Sequence, residues 1–140
     1  MRQFILAIAI ITFTGIFEAC NVNGPELSSY NAESHNAGKS CNNCHKKVEV
    51  CGTVYDSTQK QTKSNVKVKL STANDETGTI KTVLDVDNSG NFYSTEKTDL
   101  KGLYPLVVYP NGKKAQYMLS SINSGDCNDC HKDGNRIWIE

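Results

Sequence analysis

One short pattern, two cysteines separated by two residues and followed at once by a histidine, occurs twice in this chain of 140 residues. The copies are Cys41-Asn42-Asn43-Cys44-His45 and Cys127-Asn128-Asp129-Cys130-His131. The chain has only three histidines, and two of them stand in this position. Cys-x-x-Cys-His is typical of covalent attachment of a c-type haem. The repeat therefore constrains the chain more strongly than any other feature of its sequence.

The spacing follows from the chemistry of attachment. Two thiols add across the two vinyl groups of one porphyrin, and the adjacent histidine turns its imidazole under the iron as the proximal ligand. The sequence thus predicts two covalently bound haem c groups, each containing iron. The predicted attachment residues are Cys41, Cys44, Cys127 and Cys130, and the predicted proximal ligands are His45 and His131.

A low-spin haem needs a sixth ligand, and candidates for it are few in this sequence. His35 is the histidine outside the two motifs, and Met118 is the methionine other than the initiator. The simplest hypothesis pairs His35 with the haem of His45 and Met118 with the haem of His131. The crossed arrangement, a solvated His35 and a Met118 that belongs to the core remain alternatives.

The N-terminus has the pattern of an export signal. Arg2 precedes a largely apolar segment from Phe4 to Phe17, which is too short for a comfortable membrane span. Ala19-Cys20 then resembles a bacterial lipobox, which predicts a lipoprotein signal at 1–19 and lipidation of Cys20. Ordinary secretion and an uncleaved anchor are the alternatives. Residues 20–34, rich in Asn, Ser, Gly and Pro, are predicted to be a flexible tether.

Charge gives no indication of a nucleic-acid partner. Lys plus Arg and Asp plus Glu number 15 each, so the formal net charge is zero. A nucleic-acid-binding domain is usually basic on at least one face. The export signal and the haem motifs together predict a protein outside the cytoplasm, anchored to a membrane and facing the periplasm or the cell surface.

Between the two motifs the apolar residues follow a period of two, which is typical of strands. Short runs separated by turn residues favour an antiparallel β-sandwich over 48–120. It is predicted to be flanked by two short irregular or helical haem-binding segments, at 35–47 and at 121–140, the second of which also contains the final strand. The predicted strands begin near Val48, Val66, Ile80, Asn91, Leu103, Ala115 and Ile137. Pro105 lies inside one of these runs and predicts an edge strand or a bulge there.

The sandwich segment also resembles a known family. Gly52-Thr53-Val54-Tyr55-Asp56, Val66-Lys67-Val68-Lys69-Leu70, Ser89-Gly90-Asn91-Phe92-Tyr93 and Gly102-Leu103-Tyr104 are similar to the carboxypeptidase regulatory-like, or transthyretin-like, sandwich. The layout of 35–140 resembles small bacterial dihaem cytochrome c lipoproteins. The resemblance implies a non-enzymatic electron carrier of the cell envelope whose partners are redox proteins and, through its lipid, a membrane; a homo-oligomer is possible.

Other arrangements of the same residues remain open. One alternative is that the four motif cysteines hold one zinc ion, and another is that they form two disulfides. Cys51 stands alone and is predicted to pack as a small buried hydrophobe. Asp85 to Glu96 matches a calcium-loop pattern, although the flanking runs indicate strands and therefore a hairpin turn. A cell-surface binding module and a peroxidase-like enzyme with a five-coordinate haem are the rival functions.

Overall fold

The computed structural model describes residues 39–45, 47–75, 77–112 and 115–140 of the chain. Within them the protein is mainly β, as the sequence predicts, with very little helix. The strands are β1 Val50–Asp56, β2 Lys67–Ser71, β3 Ile80–Asp85, β4 Asn91–Ser94, β5 Tyr104–Val108, β6 Ala115–Tyr117 and β7 Ile137–Ile139. None of the helices in these ranges is long and apolar enough to cross a bilayer. The predicted signal, Cys20, the tether and His35 lie outside the described residues.

A three-stranded sheet has the order β4-β1-β7. β4 runs antiparallel to the first half of β1, with Val50 opposite Ser94. β7 runs parallel to the second half, with Val54 opposite Ile137. The parallel pair departs from the purely antiparallel arrangement expected from the sequence. It arises because the final strand reaches β1 through the segment of the second motif rather than through a hairpin.

A four-stranded antiparallel sheet has the order β3-β2-β5-β6. Along β2 the alternation is the predicted one: Val68 and Leu70 are buried, while Lys67 and Lys69 remain partly exposed. Each pair of sequence neighbours β2–β3 and β5–β6 is joined by a connection that contains polar residues, as in a meander.

The prediction that Pro105 marks an edge or a bulge is wrong, because β5 lies between β2 and β6. Pro105 pairs with Leu70 of β2, and its carbonyl accepts the amide of Met118 at 2.9 Å. The N–H and C=O of one strand residue point to the same side, so the donor that Pro105 lacks would face β6. The pairing with β6 is already ending there, and the ladder with β2 loses no hydrogen bond.

Both sheets contribute to one hydrophobic cluster. It contains Val50 and Val54 of β1, Leu70 of β2, Phe92 of β4 and Val107 of β5, among others, and Met118 and Cys127 pack against it. Burial of these apolar side chains is the main stabilising contribution, at roughly 25 cal/mol for each Å² removed from water. The start of the second motif is thereby tied directly to the core.

β1 is buried along both of its faces. Cys51, Thr53 and Tyr55, which point away from Val50 and Val54, are each at most 3% exposed. The second face is covered by the segment around the second motif rather than by a sheet. This coverage brings the cysteine motifs to the start of β1.

The calcium-loop match is a tight turn between the strands β3 and β4, but these strands belong to different sheets, so the predicted hairpin is wrong. The carboxylate of Asp87 accepts the backbone amides of Ser89 and Asn91 at 2.9 and 2.8 Å. Asp85 forms an ion pair with Lys67 across the neighbouring strand. Gly90 supplies the positive φ of +82° that the turn needs. Two of the carboxylates that the calcium-loop pattern needs, Asp85 and Asp87, are thus engaged in the sheet and in the turn.

Candidate functional site

The two Cys-x-x-Cys-His motifs fold into the same kind of helical turn. The first contains a 3-10 turn, Cys41–Asn43, and the second a single α-helical turn, Cys127–Cys130. In each motif the histidine amide donates to the carbonyl of the first cysteine, at 2.9 Å in both His45 and His131. A separation of three residues in such a turn places both cysteine side chains on one face.

The two motifs also lie side by side. The amide Nδ2 of Asn128 lies 3.8 Å from Sγ of Cys41, although these residues are 87 positions apart in sequence. Contact therefore exists between the interior of the second motif and an attachment thiol of the first. The strands between the motifs therefore fold so that the second motif lies beside the first.

The second motif is docked on the open edge of β1. The amide of Cys51 donates to the carbonyl of Gly125 at 2.8 Å, and the amide of Thr53 donates to Oδ1 of Asn128 at 3.1 Å. Nδ2 of Asn128 donates in turn to the Thr53 hydroxyl at 3.2 Å. β7 pairs with β1 only from Val54 onward. Asn128 thus satisfies a buried backbone donor that no strand reaches.

This docking requires a glycine at position 125. A Cβ at Gly125 would lie 1.8 Å from the carbonyl oxygen of Glu49 and 2.8 Å from Cα of Val50. Both neighbours are backbone atoms of β1 or its approach, so neither can move without shifting the strand. The close approach of two backbones explains the residue type.

Asp126 connects the second motif with the first. Its Oδ2 accepts a hydrogen bond from the Ser40 hydroxyl and another from the Asn42 amide at 3.1 Å. Its other oxygen, Oδ1, lies 4.0 Å from Sγ of Cys51. Asp126 is only 7% exposed, and its carboxylate therefore holds the first turn from the protein interior.

Two thiols and this carboxylate form a compact cluster. The ligand atoms of Cys41, Cys51 and Asp126 all lie within 4.8 Å of one another. Hydrogen bonding from the Cys51 thiol lowers the pKa of Cys41, and the Asn128 amide lowers it further. The same bond, together with burial, raises the pKa of Cys51. Of the two thiols, Cys41 is therefore the one that ionises first.

The remaining motif cysteines differ in their surroundings. Cys127 packs against the core, and this burial raises the pKa of its thiol to about 12. Cys130 is exposed, and Cys41, Cys51, Cys127 and Cys130 all carry free thiols. Cys44 is disulfide-bonded. The four motif cysteines thus do not converge on one point.

His131 is oriented by a backbone carbonyl. Its Nδ1 lies 2.8 Å from the carbonyl oxygen of Asn135, so this contact does not use Nε2. The turn that presents this carbonyl passes through Gly134, whose φ is +85°. A hydrogen bond at Nδ1 fixes the tautomer that keeps Nε2 available as a ligand.

The other predicted ligands are placed only in part. Met118 follows β6 and packs, half-buried, against the core. His45 is half-buried next to the first turn. The ligation predicted for Met118 remains a prediction, and His35 and Cys20 lie outside the described residues.

Sequence patterns alone missed several residues of this site. Cys51 is buried as predicted, but it contacts Cys41 and Asp126 instead of joining the hydrophobic cluster. Its alternation with Val50 and Val54 was the available signal, because it placed Cys51 on the opposite face of β1. Nothing comparable marked Asp126 or Asn128, since their partners are distant in sequence.

No family model, characterised protein or solved structure matches this chain. In the part of the chain that the structure describes, the start of β1 gathers two thiols and a carboxylate, and each motif ends in a histidine. These groups are ligands typical of iron and zinc centres, whereas magnesium and calcium prefer sites built from oxygen alone.

Proposed function

We propose that this protein is an exported dihaem c-type cytochrome that transfers electrons. The observation that carries the proposal is that both Cys-x-x-Cys-His motifs adopt one helical turn, with the same 2.9 Å bond between histidine amide and first cysteine carbonyl. A single turn with two thiols on one face and a histidine at its end is the local arrangement that haem c attachment needs.

The surroundings of the second motif also fit a bound haem. The Nδ1 of His131 is engaged by the carbonyl of Asn135 at 2.8 Å. A proximal histidine commonly donates its other ring N–H to a backbone carbonyl, which orients the ring and increases its basicity. Cys130, beside it, is exposed and open to a porphyrin edge.

The haem groups would supply the one-electron chemistry of iron between Fe(II) and Fe(III). The chain's own residues would hold, orient and insulate them. Cys41, Cys44 and His45 would bind one, and Cys127, Cys130 and His131 the other. Asn128 and Asp126 would keep the two attachment turns in contact, which favours electron exchange between neighbouring centres.

Attachment imposes two requirements on the chain. The disulfide of Cys44 must be reduced, because a thioether forms only from a thiol. The Cys127 thiol must turn away from the core against which it packs. Envelope cytochromes therefore need a reductant for their motif cysteines before attachment.

The proposal also includes the β-sandwich, the distal ligands and the membrane anchor. Two sheets that share one hydrophobic cluster are consistent with a β-sandwich that acts as the spacer between the haem segments. His35 and Met118 are the proposed distal ligands. Cys20 is the proposed lipid anchor, which would hold the protein at a membrane, in reach of partner redox proteins.

The decisive experiment counts covalent haem. Protein produced with haem-attachment machinery should show two haems in the pyridine haemochrome spectrum and in its intact mass. Cys41→Ala with Cys44→Ala should remove one haem, and Cys127→Ala with Cys130→Ala the other. Cys51→Ala serves as the matched control and should retain both. A wild-type protein without covalent haem would refute the proposal.

Distal ligation and anchoring have separate tests. Met118→Ala should lower the reduction potential of one haem only, because thioether ligation raises the potential relative to histidine. Cys20→Ala should release the protein from membranes with its haem spectrum intact. Two unchanged potentials would refute ligation by Met118, and undiminished membrane retention would refute lipidation of Cys20.

A further inference from the structure

The cluster at the start of β1 contains a group that haem attachment does not use. Cys51 belongs to neither motif, yet its thiol is 3% exposed and lies with Cys41 and Asp126 in one compact set of ligand atoms. A buried thiol that packs only as a hydrophobe would join the apolar cluster, and Cys51 does not. We propose that the haem-free chain binds one zinc ion through Cys41, Cys51 and Asp126, with water as the fourth ligand.

The distances suit a tetrahedral zinc site. The three ligand atoms lie within 4.8 Å of one another, and Oδ1 of Asp126 lies 4.0 Å from Sγ of Cys51. Zinc–sulfur bonds of about 2.3 Å and zinc–oxygen bonds of about 2.0 Å require separations between ligands of a little under about 4 Å. A closing movement of less than about 1 Å therefore suffices, which rotation of the side chains provides.

Neighbouring groups already orient two of the ligands. Ser40 and the Asn42 amide hold Oδ2 of Asp126, which leaves Oδ1 facing Cys51. The Asn128 amide lies 3.8 Å from the sulfur of Cys41, where it would stabilise a thiolate. Hydrogen bonds of this kind to the ligands of the metal are a regular feature of zinc sites, and their loss typically weakens binding about 10-fold to 100-fold.

The backbone also fixes the two halves of the cluster relative to each other. The amide of Cys51 donates to the carbonyl of Gly125 at 2.8 Å, so Cys51 and Asp126 are neighbours across a parallel bridge. The third ligand, Cys41, is half-buried, and Asn42 beside it is exposed. Solvent can therefore reach the fourth position of the tetrahedron, as in zinc sites with three protein ligands.

The chemistry of the ligands selects the metal. Two thiolates and one carboxylate favour zinc over magnesium and calcium, which prefer oxygen ligands, and the carboxylate disfavours copper(I). Binding converts the thiols of Cys41 and Cys51 into thiolates and releases two protons, so affinity should rise with pH. No oxidant or reductant takes part.

The zinc site and the first haem exclude each other, because a thioether at Cys41 is no longer a thiolate ligand. The inference goes beyond the proposed function and does not depend on it. It also differs from a zinc site built on the four motif cysteines. Neither Cys44 nor Cys130 has its sulfur in the cluster, and Cys130 is exposed.

The test uses the full chain produced without haem-attachment machinery, with its thiols kept reduced by a phosphine. Titration with Co²⁺ should give one equivalent of bound metal, thiolate-to-cobalt charge-transfer absorption and the visible bands of a tetrahedral ion. Zinc should displace the cobalt. Cys51→Val and Asp126→Asn should each weaken zinc binding by at least about tenfold. Cys130→Ala is the matched control and should bind zinc like the wild type.

Far-ultraviolet circular dichroism shows which of the variants Cys51→Val and Asp126→Asn keep the fold. The zinc affinity of a variant that keeps the fold then decides. If neither variant folds, the metal stoichiometry and the cobalt spectrum of the wild type decide. Unchanged affinity in a folded variant, loss of binding in Cys130→Ala, or the absence of a tetrahedral cobalt spectrum would overturn the site. Equally tight zinc binding by the dihaem form would overturn it too. Absence of covalent haem would refute only the proposed function.

Discussion

The two Cys-x-x-Cys-His turns share a sequence pattern and a local geometry but differ in how the protein holds them. The first turn, Cys41–Asn43, contains no buried residue and is held by a hydrogen bond to the buried Asp126. The second, Cys127–Cys130, buries Asn128 against β1 and packs Cys127 on the core. The pattern thus determines the turn, and the neighbouring elements determine its burial.

This asymmetry assigns different roles to the two motifs. The second motif is part of the folded framework, since its residues complete the hydrogen bonding of β1. The first motif rests on that framework through Asp126 and Asn128. Substitutions in the second motif should therefore lower the stability of the whole protein, whereas substitutions in the first motif should affect only that motif.

The largest expected difference concerns thiol reactivity in the reduced, haem-free chain. Burial raises the pKa of Cys127 from 9.0 to about 12, so at pH 8 it has about a thousandfold less thiolate than an unperturbed thiol. Iodoacetamide should therefore modify the exposed Cys130 long before Cys127, as peptide mass mapping can measure. Equal rates would show that the second motif is not docked.

The same shift makes stability depend on pH. Above pH 9 the unfolded chain releases the Cys127 proton, while the folded chain keeps it until about pH 12. Stability from this group is complete below pH 9 and is lost as the pH rises toward 12, by about 1.4 kcal/mol per unit. Urea unfolding of the haem-free chain at pH 8, 9 and 10 should reveal the decline. Cys127→Ala is the control, in which the decline should be smaller.

The next effect concerns the approach of the second motif to β1. Gly125→Ala should destabilise the fold by about 3 kcal/mol, because its Cβ would meet the Glu49 carbonyl at 1.8 Å. Lys39 stands at the equivalent position before the first motif and is exposed, so Lys39→Ala should cost under about 0.5 kcal/mol. Urea unfolding measures both. Similar losses would contradict the proposed difference between the motifs.

A smaller difference is expected for the first residue inside each motif. Asn128→Ala removes the acceptor of the buried Thr53 amide and should cost about 2 kcal/mol. Asn42 is exposed and uses only its backbone amide toward Asp126, so Asn42→Ala should change stability by less than about 0.5 kcal/mol. Thermal unfolding of the two variants is the measurement. A silent Asn128→Ala would show that Thr53 finds another partner.

The smallest effect should come from the contact between the motifs. Ser40→Ala removes a hydroxyl that donates to Asp126 and should cost about 1 kcal/mol. Ser57, exposed in the turn after β1, is the control, and Ser57→Ala should be neutral. Amide exchange should speed up at Asn42 in Ser40→Ala and remain slow at Thr53. Faster exchange at both would mean that the first motif also supports β1.

Much of the sheet structure could be predicted because its signals are local. Alternation in β2 gave the buried Val68 and Leu70, and the residues before Asn91 gave the turn between β3 and β4, although not the sheets to which these strands belong. Pro105 was misplaced, since its effect depends on which neighbouring strand faces its missing donor. That neighbour is a tertiary property, which no local pattern contains.

The sequence by itself determined the helical turns of the motifs and the short strands between them, because spacing and side-chain periodicity act over a few residues. Only the tertiary structure decided that the two motifs meet, that Cys51 faces Cys41 and Asp126, and that Asn128 closes the edge of β1. The physical reason is that buried backbone donors and thiols find partners among residues brought close by the core, and closeness in space leaves no trace in the spacing of the chain.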